Sequence, residues 1–269
     1  MSFLQDFFAQ PRWQALVIGL CALALYGQTY RFDYTLDDGE AVVRQPNVVQ
    51  GIAGIPAIMR SPTVFTGAFD PANEGFASRA ELAQRPDRRS AYRPISLVSF
   101  AIEYETAGNN AVVRHATNIV LYAVLSVVAF FAARRLLGEI HEALPFFAGL
   151  LFVAHPLHAE VVCNIKSRDE IFALLFGLGA LLTALRYVSE GRVTWLIGSC
   201  GLFFLAALSK ESAVTLLPLY PLAAWLRFGR NPDSRQSAAA RRSLLTLVGA
   251  MTIAAGAWLA LSLSIADWG

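Results

Sequence analysis

The sequence predicts an all-α membrane protein, a polytopic bundle of about seven transmembrane helices. Apolar residues make up 55% of the 269 residues and charged residues only 16%, whereas a soluble domain carries about 25% charged residues. The mean hydropathy of +0.47 agrees with this class. The net charge is only +2, and no basic patch interleaves with aromatic residues, so we expect no nucleic-acid partner.

Seven apolar segments are predicted to cross the membrane. They cover residues 13–30, 111–133, 143–158, 171–187, 193–209, 212–227 and 243–265. The first reads as a span rather than a cleavable signal peptide, because no small-x-small site closes it. The third is short, and we expect its helix to break at His155-Pro156, because a proline disfavours helical backbone in the residue before it.

The arginines orient the predicted bundle. Outside the long first loop, which can translocate largely regardless of its charge, nearly all fall at the amino terminus or in alternate loops, which should be cytoplasmic by the positive-inside rule. These are Arg12, Arg134, Arg135, Arg186, Arg192, Arg227, Arg230, Arg235, Arg241 and Arg242. We therefore expect the amino terminus inside the cell, and the first loop and the carboxyl terminus outside.

The first loop, residues 31–110, is longer than a connector needs. Within it, residues 51–59 and 61–69 are mildly amphipathic and are predicted to form short helices along the membrane interface. No internal repeat or low-complexity tail divides the chain. We therefore treat residues 1–269 as a single transmembrane module that contains this large extracytoplasmic loop.

Two adjacent carboxylates, Asp37 and Asp38, follow the first span. They repel each other and are costly to desolvate, so such a pair commonly marks a site for a substrate, a metal or a proton transfer. A solvated loop start is the alternative interpretation. The pair could coordinate a divalent cation, but two carboxylates alone are a thin ligand set, so the metal requirement stays open.

The chain has only two lysines, Lys166 and Lys210, and both lie at membrane boundaries on the predicted side of the acidic pair. Snorkelling along the membrane edge explains either lysine singly. Both together, with Arg168 beside the first, are better explained as a cationic cluster that faces the acids.

Arg93 stands before a proline, which holds its backbone extended and suits a guanidinium that grips a phosphate or carboxylate. The alternative is that Arg93 pairs with a local acid to fix the loop.

His155, His158 and Glu160 resemble a metal cluster at first sight. Their spacing departs from HExxH, because the glutamate lies outside the histidine pair and Pro156 breaks the helix. Hydrogen bonds from the imidazoles to a bound anion or a carboxylate are therefore favoured over zinc. The sequence also lacks a Gly-x-Ser-x-Gly elbow and a glycine-rich phosphate loop, which argues against a serine hydrolase and an ATP site.

Acids and cations gathered on one side of a helical bundle suit an anionic group carried at the membrane surface. A lipid phosphate fits, because its tail can lie between helices while cations neutralise its head. A facing carboxylate could deprotonate an acceptor hydroxyl, and the cations would stabilise the departing phosphate.

Several stretches, in this order and spacing, resemble the GT-C fold glycosyltransferases, and most closely the transmembrane O-mannosyltransferase family that often carries TPR repeats. They are FDYTLDD at 32–38 with Asn47 after it, YRPI at 92–95, HPLHAEVV at 155–162, KSRDE at 166–170 and SKE at 209–211. The KSRDE form resembles bacterial relatives, which implies the bacterial inner membrane.

The resemblance implies an inverting transfer of a sugar, often mannose, from a polyprenyl-phosphate donor to a hydroxyl acceptor such as a protein outside the cytoplasm. Asp37 or Asp38 would be the catalytic base, and we prefer Asp38. The donor-phosphate contacts would be Arg168 and Lys210, with Lys166, Arg93, His155 and His158 beside them. The supporting acids would be Glu160, Asp169 and Glu211.

The resemblance covers residues 30–222, whereas family members normally continue with further helices and often a soluble repeat domain. We therefore expect a fragment, a split gene product, or a minimal module whose partner chain supplies the missing helices or repeats. Two other functions stay open. One is a non-catalytic membrane scaffold, and the other is a carrier of lipid-linked sugar.

Overall fold

The computed structural model describes residues 7–35, 38–65, 89–228 and 234–265. Within these residues the regular structure is overwhelmingly helical, as the sequence predicts. The α-helices are α1 (Pro11–Tyr26), α2 (Ile55–Ile58), α3 (Pro94–Ala107), α4 (Ala111–Leu137), α5 (Leu144–Ala154), α6 (Leu157–Cys163), α7 (Arg168–Glu190), α8 (Val193–Ser209), α9 (Leu219–Phe228) and α10 (Ser234–Ile265). Tighter 3₁₀ segments cover Gly27–Arg31, Val48–Gly54, Ile165–Ser167 and Glu211–Leu216.

Three helical stretches are long and apolar enough to cross a membrane: α4, Ile165–Glu190 and Arg241–Ile265. A fourth arises if α5 and α6 count as one span broken by 61°, and this confirms the break predicted at His155-Pro156. The other predicted spans are shorter helices, of 16 residues in α1, 17 in α8 and 10 in α9. The structure thus shows three to four candidate spans among the described residues.

Helix α4 organises the bundle, because it packs against α1, α5 and α7. Its Tyr122 and Phe130 are buried together with Ile18 of α1 and Ile171 of α7. A second apolar core joins α7 to α8, α9 and α10. Helix α10 also turns exposed leucines and isoleucines outward, which suits a surface that meets lipid tails as apolar as leucine.

Residues 39–58 of the first loop pack against α3, which lies in the same loop. A π turn at Gly39–Val43 leads into Val48–Gly54 and α2, and these segments enclose a small core with α3. The predicted interfacial helix at 51–59 is helical over much of its length. The predicted helix at 61–69 is wrong where the structure describes it, because Thr63–Phe65 form strand β1, paired antiparallel with strand β2 (Arg89–Ala91). Threonine, valine and phenylalanine favour a paired strand over a helix. Residues 66–69 lie outside the described residues.

Gly51 fixes the contact between the first loop and α3. Its φ of +61° is unfavourable for other residues, and a Cβ at this position would lie 2.0 Å from Oε2 of Glu105. The same Oε2 accepts a hydrogen bond from the backbone N–H of Ile52 at 3.1 Å. A side chain at residue 51 would therefore displace the Glu105 carboxylate and break this hydrogen bond.

We expect Gly51→Ala to lower the free energy of unfolding by more than Gly108→Ala, the matched control. Both glycines have φ of +61°, but the Gly108 position has no atom within 4 Å of an added Cβ. Backbone strain alone costs about 1–3 kcal/mol, and displacement of Glu105 from the Ile52 N–H adds to it only at residue 51. Denaturant unfolding in detergent measures both variants. Equal losses would show that the Glu105 contact contributes nothing.

Candidate functional site

The buried acid Asp38 joins the first loop to the turn before α7. Its side chain is fully buried, and its Oδ1 accepts a hydrogen bond from the backbone N–H of Lys166 at 2.7 Å. Its Oδ2 accepts from the backbone N–H of Thr35 at 3.0 Å. Two motifs 128 residues apart in the chain are thereby brought together. The other predicted base, Asp37, lies outside the described residues.

Arg168 lies at the centre of a buried polar cluster. Its side chain is fully buried, and its Nη1 lies 2.8 Å from Oε1 of Glu103. Its Nε donates to Asn118 at 2.7 Å, and its Nη2 donates to the backbone carbonyl of Arg114 at 3.0 Å. The guanidinium also lies 4.2 Å from the ring centroid of Phe100. Every nitrogen of Arg168 is thus engaged by the protein itself.

Three residues of this buried cluster were not predicted from the sequence as site residues: Arg114, Glu103 and His115. Arg114 is fully buried, and it donates to the Tyr34 hydroxyl at 3.1 Å. His115 is also fully buried, and neither ring nitrogen makes a hydrogen bond of ordinary geometry with a described residue. An ionisable residue inside an apolar helix is itself a sign of a functional or structural site, and that signal was available for Arg114 and His115.

Arg93 forms a second, more accessible charge cluster with α7 and the turn after α8. Its Nη1 lies 2.8 Å from Oδ2 of Asp169, its Nε donates to Oε2 of Glu211 at 2.7 Å, and its Nη2 contacts the other oxygen of Glu211. The grip on Glu211 is bidentate, the strongest geometry for an arginine and a carboxylate. Arg93 thus pairs with acids, but these acids are 76 and 118 residues away in the chain, not in its own loop as the alternative interpretation had it.

Lys210 extends the second cluster, because its ammonium pairs with Glu170 in the first turn of α7. The Lys210 side chain is 18% exposed and that of Glu170 is 42% exposed, so the pair lies at an accessible edge. Arg93 thus joins Glu211 to Asp169. Glu170, the next residue after Asp169, pairs with Lys210. This row of charges forms the outer rim of the site.

In the motif at 155–162, only His158 is held by hydrogen bonds to the surrounding helices that the structure describes. Nδ1 of His158 lies 2.8 Å from the Tyr122 hydroxyl and 2.7 Å from the carbonyl oxygen of Phe152. His155 and Glu160 are exposed. Among the described residues, no group of three potential metal-ligating side chains is close enough to hold an ion.

His158 also lines a cavity of about 280 Å³ between α4, α7 and the turn after α8. Apolar side chains such as Leu125, Leu174 and Leu216 form much of its wall. Glu170, the partner of Lys210, stands in the same wall. The arrangement combines an apolar slot with a charged rim, which suits an amphipathic ligand with an anionic head.

The pairing of Arg93 with Glu211 affects the charge state of both residues. Burial alone would lower the pKa of Arg93, but its bonds to Glu211 and Asp169 outweigh this effect and raise it. Burial alone would raise the pKa of Glu211, but Arg93 holds that pKa below its usual range. Both groups are therefore charged at neutral pH.

We expect this pair to make stability depend on pH in the acid range. A carboxylate with a depressed folded-state pKa contributes stability that is fully present above its unfolded-state pKa, about 4.3, and is lost as the pH falls through the folded-state value. Unfolding measured from pH 6 to pH 3 should show this loss in the wild type and less of it in Glu211→Gln. The exposed control Glu142→Gln should follow the wild type. If Glu211→Gln also follows it, the pair is not coupled to folding.

Comparison with known proteins supports the class of membrane glycosyltransferases. The chain is related to proteins named protein O-mannosyl-transferase, in agreement with the motif resemblance. It is 27% identical to human TMTC4 over 228 residues, which cover 78% of this chain and 29% of that protein. It is 28% identical to human TMTC2 over 207 residues, which cover 75% of this chain and 23% of that protein.

A third relative is the mouse protein O-mannosyl-transferase TMTC1, 28% identical over 177 residues that cover 66% of this chain and 17% of that protein. The chain thus spans less than a third of the length of these curated relatives. No family model and no solved structure matches it.

Proposed function

We propose that the chain is a GT-C type membrane glycosyltransferase module that moves a sugar, mannose in the first instance, from a polyprenyl-phosphate donor to a hydroxyl of an acceptor protein. In this proposal the seven predicted segments cross a bacterial inner membrane with the amino terminus inside, and the site faces outward. The relatives support the transferase class and the mannose. The donor, the side and the topology rest on the motifs and on the charge distribution.

The observation that carries the proposal is the convergence of the motifs at one end of the bundle. The first-loop acid Asp38 holds the turn of Lys166, and α7 then presents Asp169 to Arg93 and Glu170 to Lys210. These residues are scattered over more than 170 positions of the sequence, yet each contact is direct. Folding alone does not require so many ionisable groups to meet at one membrane edge, whereas phosphate-dependent chemistry does.

The donor would lie with the first few isoprene units of its polyprenyl tail in the apolar slot beside His158, the rest of the tail among the lipids, and its phosphate at the rim. Because Lys210 is already paired with Glu170, the phosphate has to replace this carboxylate as the partner of the ammonium. Glu211 is 41% exposed and could release Arg93 in the same way. The enclosed Arg168 would instead act as a positioning residue that fixes the start of α7.

The acceptor side of the site would use the first-loop acids. Both oxygens of Asp38 already accept backbone hydrogen bonds, and its side chain is shielded from solvent. These contacts suit an anchor better than a base that must meet an incoming hydroxyl. We therefore propose Asp37 as the general base and Asp38 as the residue that positions it, which reverses our preference from the sequence alone.

The second candidate is a non-catalytic scaffold that keeps the fold. It is favoured by the ion pairing described above, in which Arg93, Arg168 and Lys210 each meet a carboxylate of the same chain. A carrier of lipid-linked sugar would need the cations but not the base. Neither alternative requires chemical transfer.

The decisive experiment incubates the purified chain in nanodiscs with radiolabelled polyprenyl-phosphate mannose and a serine- and threonine-containing peptide. The proposal expects labelled peptide whose new glycosidic bond has inverted configuration at the anomeric carbon. Donor that binds but is neither transferred nor hydrolysed would favour the scaffold or the carrier. A parallel preparation carrying Glu142→Gln, at an exposed acid outside the proposed site, should match the wild type.

Donor binding should respond in opposite directions to two substitutions in one ion pair. Lys210→Ala leaves the phosphate without a charged hydrogen-bond donor worth about 1.5–3 kcal/mol, so we expect affinity to fall by about 10–100-fold. Glu170→Gln removes the competing carboxylate and should tighten binding. A titration of fluorescent polyprenyl-phosphate sugar measures both. If Glu170→Gln weakens binding as Lys210→Ala does, the exchange of partners is wrong.

A further inference from the structure

A second cavity lies at the opposite end of the bundle from the charged site. It has a volume of about 800 Å³ and lies between α4, α7, α8 and α9. Its wall includes apolar side chains, among them Phe131, Phe176 and Leu202. Four arginines line the same cavity: Arg134, Arg135, Arg186 and Arg227. We call this space the arginine groove.

The position of the arginine groove follows from the directions of α4 and α7. The first turns of these helices meet where Arg168 donates to the carbonyl of Arg114. Arg134 is 20 residues beyond Arg114 on α4, which is about 30 Å along a helix and matches the hydrocarbon thickness of a bilayer. The arginines therefore lie at one membrane interface, and the site described above lies at the other.

The positive charge of the groove is largely uncompensated within the described residues. Arg227 pairs with Glu139, and Arg186 lies 4.6 Å from the ring centroid of Trp195. No described carboxylate lies within 4 Å of Arg134, Arg135 or Arg186. Cations are common in the last turn of a helix, but here three helices direct theirs into a single apolar cavity.

We propose that the arginine groove binds an anionic phospholipid, with an acyl chain in the apolar cavity and the phosphate among the arginines. The positive charge of the four arginines selects an anionic ligand, because basic pockets between membrane helices attract anionic head groups. The apolar wall selects a lipid over free phosphate, which would leave most of the cavity unfilled. This site is separate from the proposed donor site and takes no part in the proposed transfer.

Native mass spectrometry of the purified chain with phosphatidylglycerol or phosphatidylcholine of identical acyl chains tests the proposal. We expect phosphatidylglycerol to be retained preferentially, and the double variant Arg134→Gln/Arg186→Gln to reduce its affinity by roughly thirtyfold, from about 1 kcal/mol for each arginine. Arg192→Gln makes the same type of charge change at a 73% exposed arginine outside the groove, and it should retain the preference.

Three outcomes, all measured on the wild-type chain, would overturn the proposal. Equal retention of the two lipids would show that the arginines do not select an anion. Displacement of phosphatidylglycerol by millimolar inorganic phosphate would identify a free-anion site. Retention of neither lipid would show that the groove does not bind phospholipid, and would favour a protein segment as its occupant. Because these comparisons use the wild-type chain, they stand even if the double variant fails to fold.

Discussion

Asp37→Asn is expected to reduce sugar transfer by about 10²–10⁴-fold, the usual contribution of a general base, while donor binding stays close to that of the wild type. The substitution keeps the size of the side chain but removes its negative charge, and with it the ability to accept a proton. In the proposed site this acid meets the acceptor hydroxyl, whereas the donor phosphate lies with Lys210 and Arg93. The loss should therefore appear in the rate of the chemical step.

The comparison with Asp38→Asn separates catalysis from positioning. An asparagine at 38 weakens the hydrogen bonds to the N–H groups of Lys166 and Thr35, because charge-assisted bonds are about twice as strong as neutral ones. Asp38→Asn should therefore lower the melting temperature, whereas Asp37→Asn should not. Transfer and thermal unfolding are measured on both variants. Near-normal transfer by Asp37→Asn in a preparation with active wild type would exclude Asp37 as the base.

The helical class and the break before α6 could be predicted from the sequence, because both depend on local properties. Runs of apolar residues predict helices without reference to the rest of the chain, and Pro156 disfavours helical backbone before it. The number of membrane crossings is harder to predict, because it depends on whether each apolar segment folds as one continuous helix. Segment 212–227 is largely apolar, yet it folds as the 3₁₀ segment Glu211–Leu216 followed by α9. Mean apolarity does not reveal this interruption, but Pro218 between the two segments is a local signal for it, because a proline inside a helix removes a backbone hydrogen bond and clashes with the preceding turn.

The sequence predicted which charged residues lie at the site better than it predicted which of them form ion pairs. Charged motifs at the membrane boundary indicated Arg93, Asp169, Lys210 and Glu211, and the structure brings these residues to one rim. The partner of Arg168 was not predictable, because Glu103 lies 65 positions earlier in α3 and only tertiary packing unites them. A sequence pattern shows that an arginine is present at an edge, but not whether the fold encloses it.

Arg168 and Glu103 should make the largest contribution to stability of any ion pair described here. The Arg168 side chain is fully buried and that of Glu103 is 12% exposed, so removal of one partner leaves a charge in a poorly solvated environment. Breaking such a pair costs about 3–5 kcal/mol. We expect Arg168→Met to lower the free energy of unfolding by this amount, and Glu103→Gln to lower it substantially.

The control is an exposed pair at the other end of α7. Arg192 and Glu190 lie 3.7 Å apart with side chains 73% and 39% exposed, and exposed pairs contribute about 1 kcal/mol or less. Glu190→Gln should therefore have little effect. A double-mutant cycle with Arg168→Met and Glu103→Gln isolates the interaction, because the second substitution costs less once the first partner is absent.

The same variants decide between the two roles open to Arg168. A positioning residue fixes the start of α7, so Arg168→Met should reduce stability and donor affinity together, and Glu103→Gln should reproduce part of both effects. A direct phosphate contact would lose donor affinity in Arg168→Met at unchanged stability, and Glu103→Gln would not follow it. Unfolding and donor titration on one set of preparations distinguish these results. An Arg168→Met variant as stable as Glu190→Gln would contradict the role of the buried pair.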